Sequence, residues 1–387
     1  MAATNFGVGN ELAVNLWSKK LSYEALQATK LSNFVGKTAD SMIVVKDETN
    51  RQSGAKVTFG LRMQLKGQGV RGEEQLEGNE EKLVFRNDSL SIDQLRNAVL
   101  NVGAVSQQRV PFDLREEAKS GLVDWWADRI DASMMNQLAG NTNYSSDLRY
   151  TGMNSPQAPT NWFVPQPTTG TAVVVSSGVL ATVEGLLSSL ASGDRDAHKF
   201  SLDLLSKARI KAETAAVPIR PLTIGSQKAY VVFIHPYQAY QLKSNVATGQ
   251  WLDIQKAAMQ GGEVSNNPIF TGALGMYDGV IIHVDQRVPW GKANDAGVRV
   301  DTALGQSNVA RAVLCGAQAG MLAFGRDSGW PFRMKWVEDM RDYENQLGVS
   351  AAMVWGMKKT AFKAENAASS DATDFATIAI STYTPGI

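Results

Sequence analysis

Residues 57–66 alternate strictly between apolar side chains and small or polar ones. Val57, Phe59, Leu61, Met63 and Leu65 are apolar; Thr58, Gly60, Arg62, Gln64 and Lys66 stand between them. Such period-two alternation is the pattern of a half-buried strand. Gly67-Gln68-Gly69-Val70-Arg71-Gly72 follows, then Glu73, Glu74, Glu77, Gly78, Glu80 and Glu81, then a strand-like piece from Lys82 to Phe85. Residues 55–86 therefore read as a long hairpin with a glycine-rich, acidic tip. A lone two-stranded arm buries too little to stand by itself, so its apolar stripe calls for another surface.

Residues 67–72 also spell the dinucleotide fingerprint G-x-G-x-x-G, directly after a strand. That chemistry needs a helix next, because the pyrophosphate sits on the helix N-terminus. Gly78 interrupts the segment, and Glu73, Glu74, Glu77 and Glu80 would repel a pyrophosphate. The preceding strand alternates, whereas a buried parallel strand is nearly all apolar. An NAD-dependent oxidoreductase, resting on Gly67, Gly69 and Gly72 alone, is thus the alternative reading, and no cofactor is expected.

The chain has 387 residues, 44% of them hydrophobic and 20% charged, which is ample material for a core. Its formal net charge is zero. A protein that grips nucleic acid through phosphates is usually basic, at least locally, and no lysine-arginine block appears here. Contact with DNA is expected to be non-specific at most. A zero net charge also removes the self-repulsion that keeps proteins apart. The single cysteine, Cys315, lies in an apolar run and reads as a buried core residue. No apolar run is long enough to span a membrane. The first residues lack a basic and an apolar region, so no signal peptide is expected.

Along the chain, residues 1–54 mix short apolar spots with polar residues and read as an arm, with a helical turn or two between Leu26 and Val35. Pro111 suits a first helical position, and Gly140 a left-handed C-cap. Between them Leu114, Ala118, Leu122, Trp126, Ile130, Met134 and Leu138 recur every four residues. A helix over 111–139 would be about 43 Å long. Residues 141–178 read as a long surface excursion. Helices are expected over 179–190, from Ser201 to about 216, after Pro236, and over 251–259. Tyr230–Ile234 and Val280–Val284 read as buried strands, so 217–300 looks like an α/β subdomain. Later strands are expected at 310–315, 332–337, 349–355 and 375–382. The class is α+β, not doubly wound.

No catalytic constellation emerges. His198, His235 and His283 are far apart, with no ligand pattern, and read as structural. No nucleophile elbow and no P-loop occur. Glu338-Asp339 with Arg341-Asp342 reads as a surface turn or ion-pair network. Neither an enzyme nor a metal site is expected.

Several runs nevertheless resemble the major capsid proteins of tailed double-stranded DNA bacteriophages, in the N4-like family. They are Val57–Leu65 with Gly67-Gln68-Gly69-Val70; Leu76-Glu77-Gly78-Asn79-Glu80-Glu81; Ile92-Asp93-Gln94-Leu95-Arg96-Asn97-Ala98-Val99; Phe233-Ile234-His235-Pro236-Tyr237-Gln238; Asn267-Pro268-Ile269-Phe270-Thr271-Gly272; and Gly356-Met357-Lys358-Lys359-Thr360-Ala361-Phe362. They span about residues 50 to 365 in the expected order. None is a catalytic motif.

The resemblance implies the HK97-like capsid fold. It would comprise an N-terminal arm (1–54), an extended loop (55–86), a peripheral domain (87–216 and 301–387) with a spine helix, and an axial domain (217–300). It implies hexamers and pentamers of an icosahedral shell around double-stranded DNA, assembled in a bacterial cytoplasm and located in the virion. The extended loop, with Val57, Phe59, Leu61, Met63, Leu65, Gly67, Gly69, Arg71, Gly72, Glu73, Glu74, Glu77, Glu80 and Glu81, would lie over a neighbouring subunit. Axial loops around 245–275 would meet at the hexamer centre. Partners would be a separate scaffolding protein, a portal and a decoration protein. Lys66 and Lys82 are the lysines placed for subunit cross-linking, though solvated side chains explain them more simply. A non-viral, encapsulin-like shell is a further reading.

Overall fold

A computed structural model describes the chain apart from residues 1–20, 22–23, 26–27, 47–55, 63–68, 74, 81–84, 102, 110–112, 145–153, 166–179, 191, 193–194, 216–217, 225–226, 245–272, 292–302, 326–333, 344, 363–372 and 387. The longest helix among the described residues is Leu114–Ala139, about 39 Å at 1.5 Å per residue. Asp113 is the N-cap and accepts a hydrogen bond from the Arg115 N–H at 2.9 Å. Glu116 and Glu117 add negative charge where the helix dipole favours it. The helix therefore starts at Leu114, later than the expected 111, and Pro111 lies outside the described residues. Gly140 ends it at φ 61°, ψ 44°, as expected.

The apolar stripe holds: Leu122, Trp126, Ile130, Met134 and Leu138 are buried, while Leu114 and Ala118 are half-buried. Burial then widens beyond a stripe. From Ile130 to Asn141 every residue is buried, because this half of the helix runs between two sheets and contacts both.

The first sheet has the order Val35–Gly36, Ile43–Lys46, Gly320–Phe324, Gln346–Lys359, Lys335–Arg341, and Asp93–Leu100 also pairs with the long strand. Strands were expected at 332–337 and 349–355; the first is displaced to 335–341 and the second extends to 14 residues. The second sheet runs Trp162–Phe163, Thr377–Tyr383, Val309–Cys315, Gln227–Ile234, Val280–Val284, Ala273–Tyr277. Val280–Val284 lies parallel to Gln227–Ile234, and the helix Pro236–Ser244 follows the first of the two.

Val309–Cys315 pairs antiparallel with Gln227–Ile234, placing Val313 opposite Phe233 and Cys315 opposite Val231. The ladder therefore joins strands from either side of residue 300. The two strands are legible in sequence, but their pairing across some eighty intervening residues is not. Helices at Leu180–Ser188 and Leu202–Thr214 match expectation. Ser201 occupies the N-cap position without a side-chain capping bond. The N-terminal turn is a 3-10 helix, Lys30–Phe34. The expected helix at 251–259 lies outside the described residues.

Candidate intersubunit surfaces

The alternating stretch forms the hairpin. Lys56–Arg62 pairs antiparallel with Phe85–Ser91, from Lys56 opposite Ser91 to Arg62 opposite Phe85. The hairpin thus reaches Ser91, beyond the expected 86. Val57 and Phe59 are buried with Leu90 against Val44, Met321 and Ala323 of the same subunit. The Lys46 ammonium lies 5.2 Å from the Phe59 ring centroid. At these two positions the apolar face packs on the first sheet of its own subunit. Leu61 faces Arg86 in the ladder, while Met63, Leu65 and Gly67 lie outside the described residues.

The base is fixed by three further devices. The Asp88 carboxylate accepts from Lys358 at 2.5 Å and from the Ala361 N–H at 3.0 Å. Asn154 accepts from the Ser91 N–H and donates to the carbonyls of Ser91 and Met357. At Gly356 an added Cβ would run into the Ser91 carbonyl oxygen, so only glycine admits this crossing. Neither Gly356 nor Asn154 was singled out from sequence for this role; no local pattern marks them.

The tip differs in kind. Gly69, Gly72 and Gly78 have φ of 70°, 59° and 92°, with nothing within 4 Å of an added Cβ. Arg71, Glu73, Glu77 and Glu80 are exposed, and so is Leu76 at 61%. Glu74 and Glu81 lie outside the described residues. Among the described residues from Val70 to Glu80 there are only turns and irregular backbone, with no helix. Without a helix after Gly72 there is no N-terminus to hold a pyrophosphate, which removes the basis of the dinucleotide reading.

Buried ions elsewhere stitch the subunit together. Arg311, on the second sheet, makes a two-pronged pair with Glu184 at 2.8 and 2.6 Å. It also donates to the carbonyls of Ala139 and Gly140 at the end of the long helix. Ser381 donates to Glu184. Lys359 meets Asp374 at 2.7 Å, both buried, and burial pulls the Lys359 ammonium down from its ordinary pKa. Arg287 lies 3.0 Å from Asp128 and 3.3 Å from Asp131. Asp131 also accepts from the N–H groups of Lys30 and Leu31, holding the N-terminal 3-10 turn on the helix. Burial pushes the Asp131 carboxyl up to about 6, against the opposing pull of Arg287. Glu338 accepts from Arg115 at 2.6 Å and from the Trp336 indole at 2.7 Å, so part of the 338–342 charge run is an internal network.

The three histidines and Cys315 are buried. Burial lowers His235 to about 4; its Nδ1 accepts from the Tyr237 N–H, and its ring stacks on Trp290. His283 packs edge-on to Phe34. Cys315 is fully buried, and burial pushes its thiol up. Among the described residues no three His, Cys, Asp or Glu side chains gather to hold a metal. No described helix is long and apolar enough to cross a membrane.

The hairpin thus joins a packed base to an exposed, charged loop. A family model described as phage capsid protein matches residues 5–386. The major capsid protein of Pseudomonas phage KPP25 is 28% identical over 365 residues, 93% of this chain and 92% of that protein. The capsid of Ralstonia phage GP4 shares the fold with a TM-score of 0.69 and 27% identity, over 92% of this chain and 90% of that one. The capsid subunit of cyanophage Pam1 does so at 0.62 and 16% identity, over 94% of each chain. The α+β fold is thus the HK97-like capsid fold, and the chain belongs to the phage capsid protein family.

Proposed function

We propose that the protein is the major capsid protein of a tailed phage. It self-assembles into hexamers and pentamers of an icosahedral shell around double-stranded DNA, located in the virion and built in the bacterial cytoplasm. The observation that carries this is the family match over nearly the whole chain, joined to an exposed loop set on a rigid base. The protein acts as a structural component and not as an enzyme. In support, the histidines and the cysteine are buried as packing elements.

The extended loop lies over a neighbouring subunit, with the tip 67–81 as the contacting part. The arm (1–54), the peripheral domain (87–216 and 301–387) and the axial domain (217–300) divide the work of assembly. Loops at 245–275 gather at the hexamer centre, and the excursion at 141–178 faces the capsid surface. A separate scaffolding protein guides assembly, with a portal and a decoration protein completing the head. Packaged DNA is contacted non-specifically at most, in keeping with the zero net charge.

Negative-stain electron microscopy of the purified chain, with and without a candidate scaffold, tests the reading. Closed shells or hexamer-sized rings are expected. A stable monomer or dimer under both conditions would refute it. Deleting residues 67–80 should leave soluble subunits that form no shells, and normal shells from that deletion would sink the loop's role.

A further inference from the structure

The long strand Gln346–Lys359 ends on a lysine that water does not reach. Lys359 meets Asp374, on the short strand Thr373–Asp374, at 2.7 Å, and the two side chains are 1% and 3% exposed. A buried ion pair is a poor device for stability alone, because taking two charges out of water costs about as much as their attraction returns. The pair calls for a second use.

Its hydrogen-bond partners stand where an amide would need them. The Asp374 Oδ2 accepts from the backbone N–H groups of Thr160 and Asn161 at 3.0 and 3.3 Å. The Lys359 Nζ donates to the Gln157 carbonyl at 3.3 Å. Among the described residues Asp374 Oδ1 is met by Lys359 alone. An amide between Nζ and the Asp374 carboxyl carbon would keep three of these bonds. Its oxygen would accept from Thr160 and Asn161, and its N–H would donate to Gln157. The oxygen to be lost is Oδ1, which has no other partner to give up. The carboxyl carbon lies one C–O bond of about 1.2 Å beyond Oδ1, so Nζ is within about 4 Å of it, close to attack distance.

The surroundings favour the nucleophilic form. Burial pulls the Lys359 ammonium down against the opposing pull of Asp374, and the Arg311 guanidinium pushes the same way as burial. The free amine, not the ammonium, is the form that attacks a carboxyl carbon. Passing the proton across the pair also removes two buried charges at once.

We propose that Lys359 and Asp374 join in an isopeptide bond within one subunit once it has folded. The ammonium gives one proton to Asp374 Oδ1, leaving an amine and a carboxylic acid. Nζ attacks the carboxyl carbon and a C–N bond forms. The negative charge that develops on Oδ2 is held by the N–H groups of Thr160 and Asn161, as in an oxyanion hole. Nζ then gives a second proton to the Oδ1 hydroxyl, the C–Oδ1 bond breaks, and water leaves. Ammonium and carboxylate thus become amide and water, with no oxidant or co-reactant. The bond closes a ring over residues 359–374 and staples the end of the first sheet to the segment at 160–161. It goes beyond the shell-forming reading and does not depend on it.

The test is the intact mass of the full-length chain, purified folded and then denatured. The mass should fall short of the sequence mass by one water. Trypsin should release residues 359–363 joined as a branch to 364–387, because the cut after Lys359 is blocked while those after Lys358 and Lys363 are not. Lys359→Arg and, separately, Asp374→Ala should each carry the full mass of their sequence. The wild-type reading needs no variant to fold, so a wild-type chain at full sequence mass overturns the proposal. A water deficit that maps to other residues overturns it, as does a covalent oligomer without the branched product inside one chain. The branched product in a chain that forms no shells would support the bond while refuting the shell-forming reading.

Discussion

Phe59→Ala separates two roles that its place in the hairpin allows. The ring is 4% exposed and sits with Val57 and Leu90 on Val44, Met321 and Ala323. Truncating a buried phenylalanine costs roughly 3–5 kcal/mol, the lower end where the site can collapse. A two-stranded base on a sheet face can close partly over the gap, which places the expected loss near the lower end. The Lys46 ammonium at 5.2 Å adds about 0.5 kcal/mol. The sum is about 3.5 kcal/mol, carried within one subunit. It is read in dissociated subunits as a fall in the urea midpoint at unchanged slope, the signature of lost stability rather than altered compactness. An unchanged midpoint, with loss confined to shell formation, would refute the packing argument and return Phe59 to the interface.

Arg311→Met leaves Glu184 as an uncompensated buried charge and orphans the carbonyls of Ala139 and Gly140, so a loss of about 3–5 kcal/mol is expected in subunit unfolding. Adding Glu184→Leu removes the stranded charge and should recover part of it; a double variant as unstable as the single would contradict this. For Asp131 the folded carboxyl titrates near 6 against 3.8 when unfolded. The folded state therefore binds the extra proton between these values. Its stabilising contribution is present below 3.8 and lost as pH rises through 6, about 3 kcal/mol at most. Asp131→Asn should flatten the urea midpoint between pH 4 and 7, and an equally steep profile in the variant would count against the assignment.

Much of the local structure was legible because it depends on near neighbours. Period-two alternation marked the first hairpin strand, and four-residue spacing marked the long helix. Gly140 marked its end because only glycine takes a left-handed cap without cost. The start was missed by three residues because Asp113 competes with Pro111 as the terminus and offers a side-chain acceptor. The strand expected at 332–337 slipped for a related reason: its bounds are set by pairing with Gln346–Lys359, not by its own composition. Glu338 read as surface charge because nothing in its neighbourhood announces Arg115, 223 residues away.

The sequence by itself marked the long helix, the helices Leu180–Ser188 and Leu202–Thr214, the buried strands Gln227–Ile234 and Val280–Val284, and, through ordered runs along the chain, the family resemblance. Only the tertiary structure decided that Val57 and Phe59 pack inside the subunit, that the ladder continues across residue 300, and that Arg311 meets Glu184 127 residues away. Helical periodicity and turn conformation are set by contacts a few residues apart, whereas strand partnership and buried charge pairing form between segments that the chain order does not bring together.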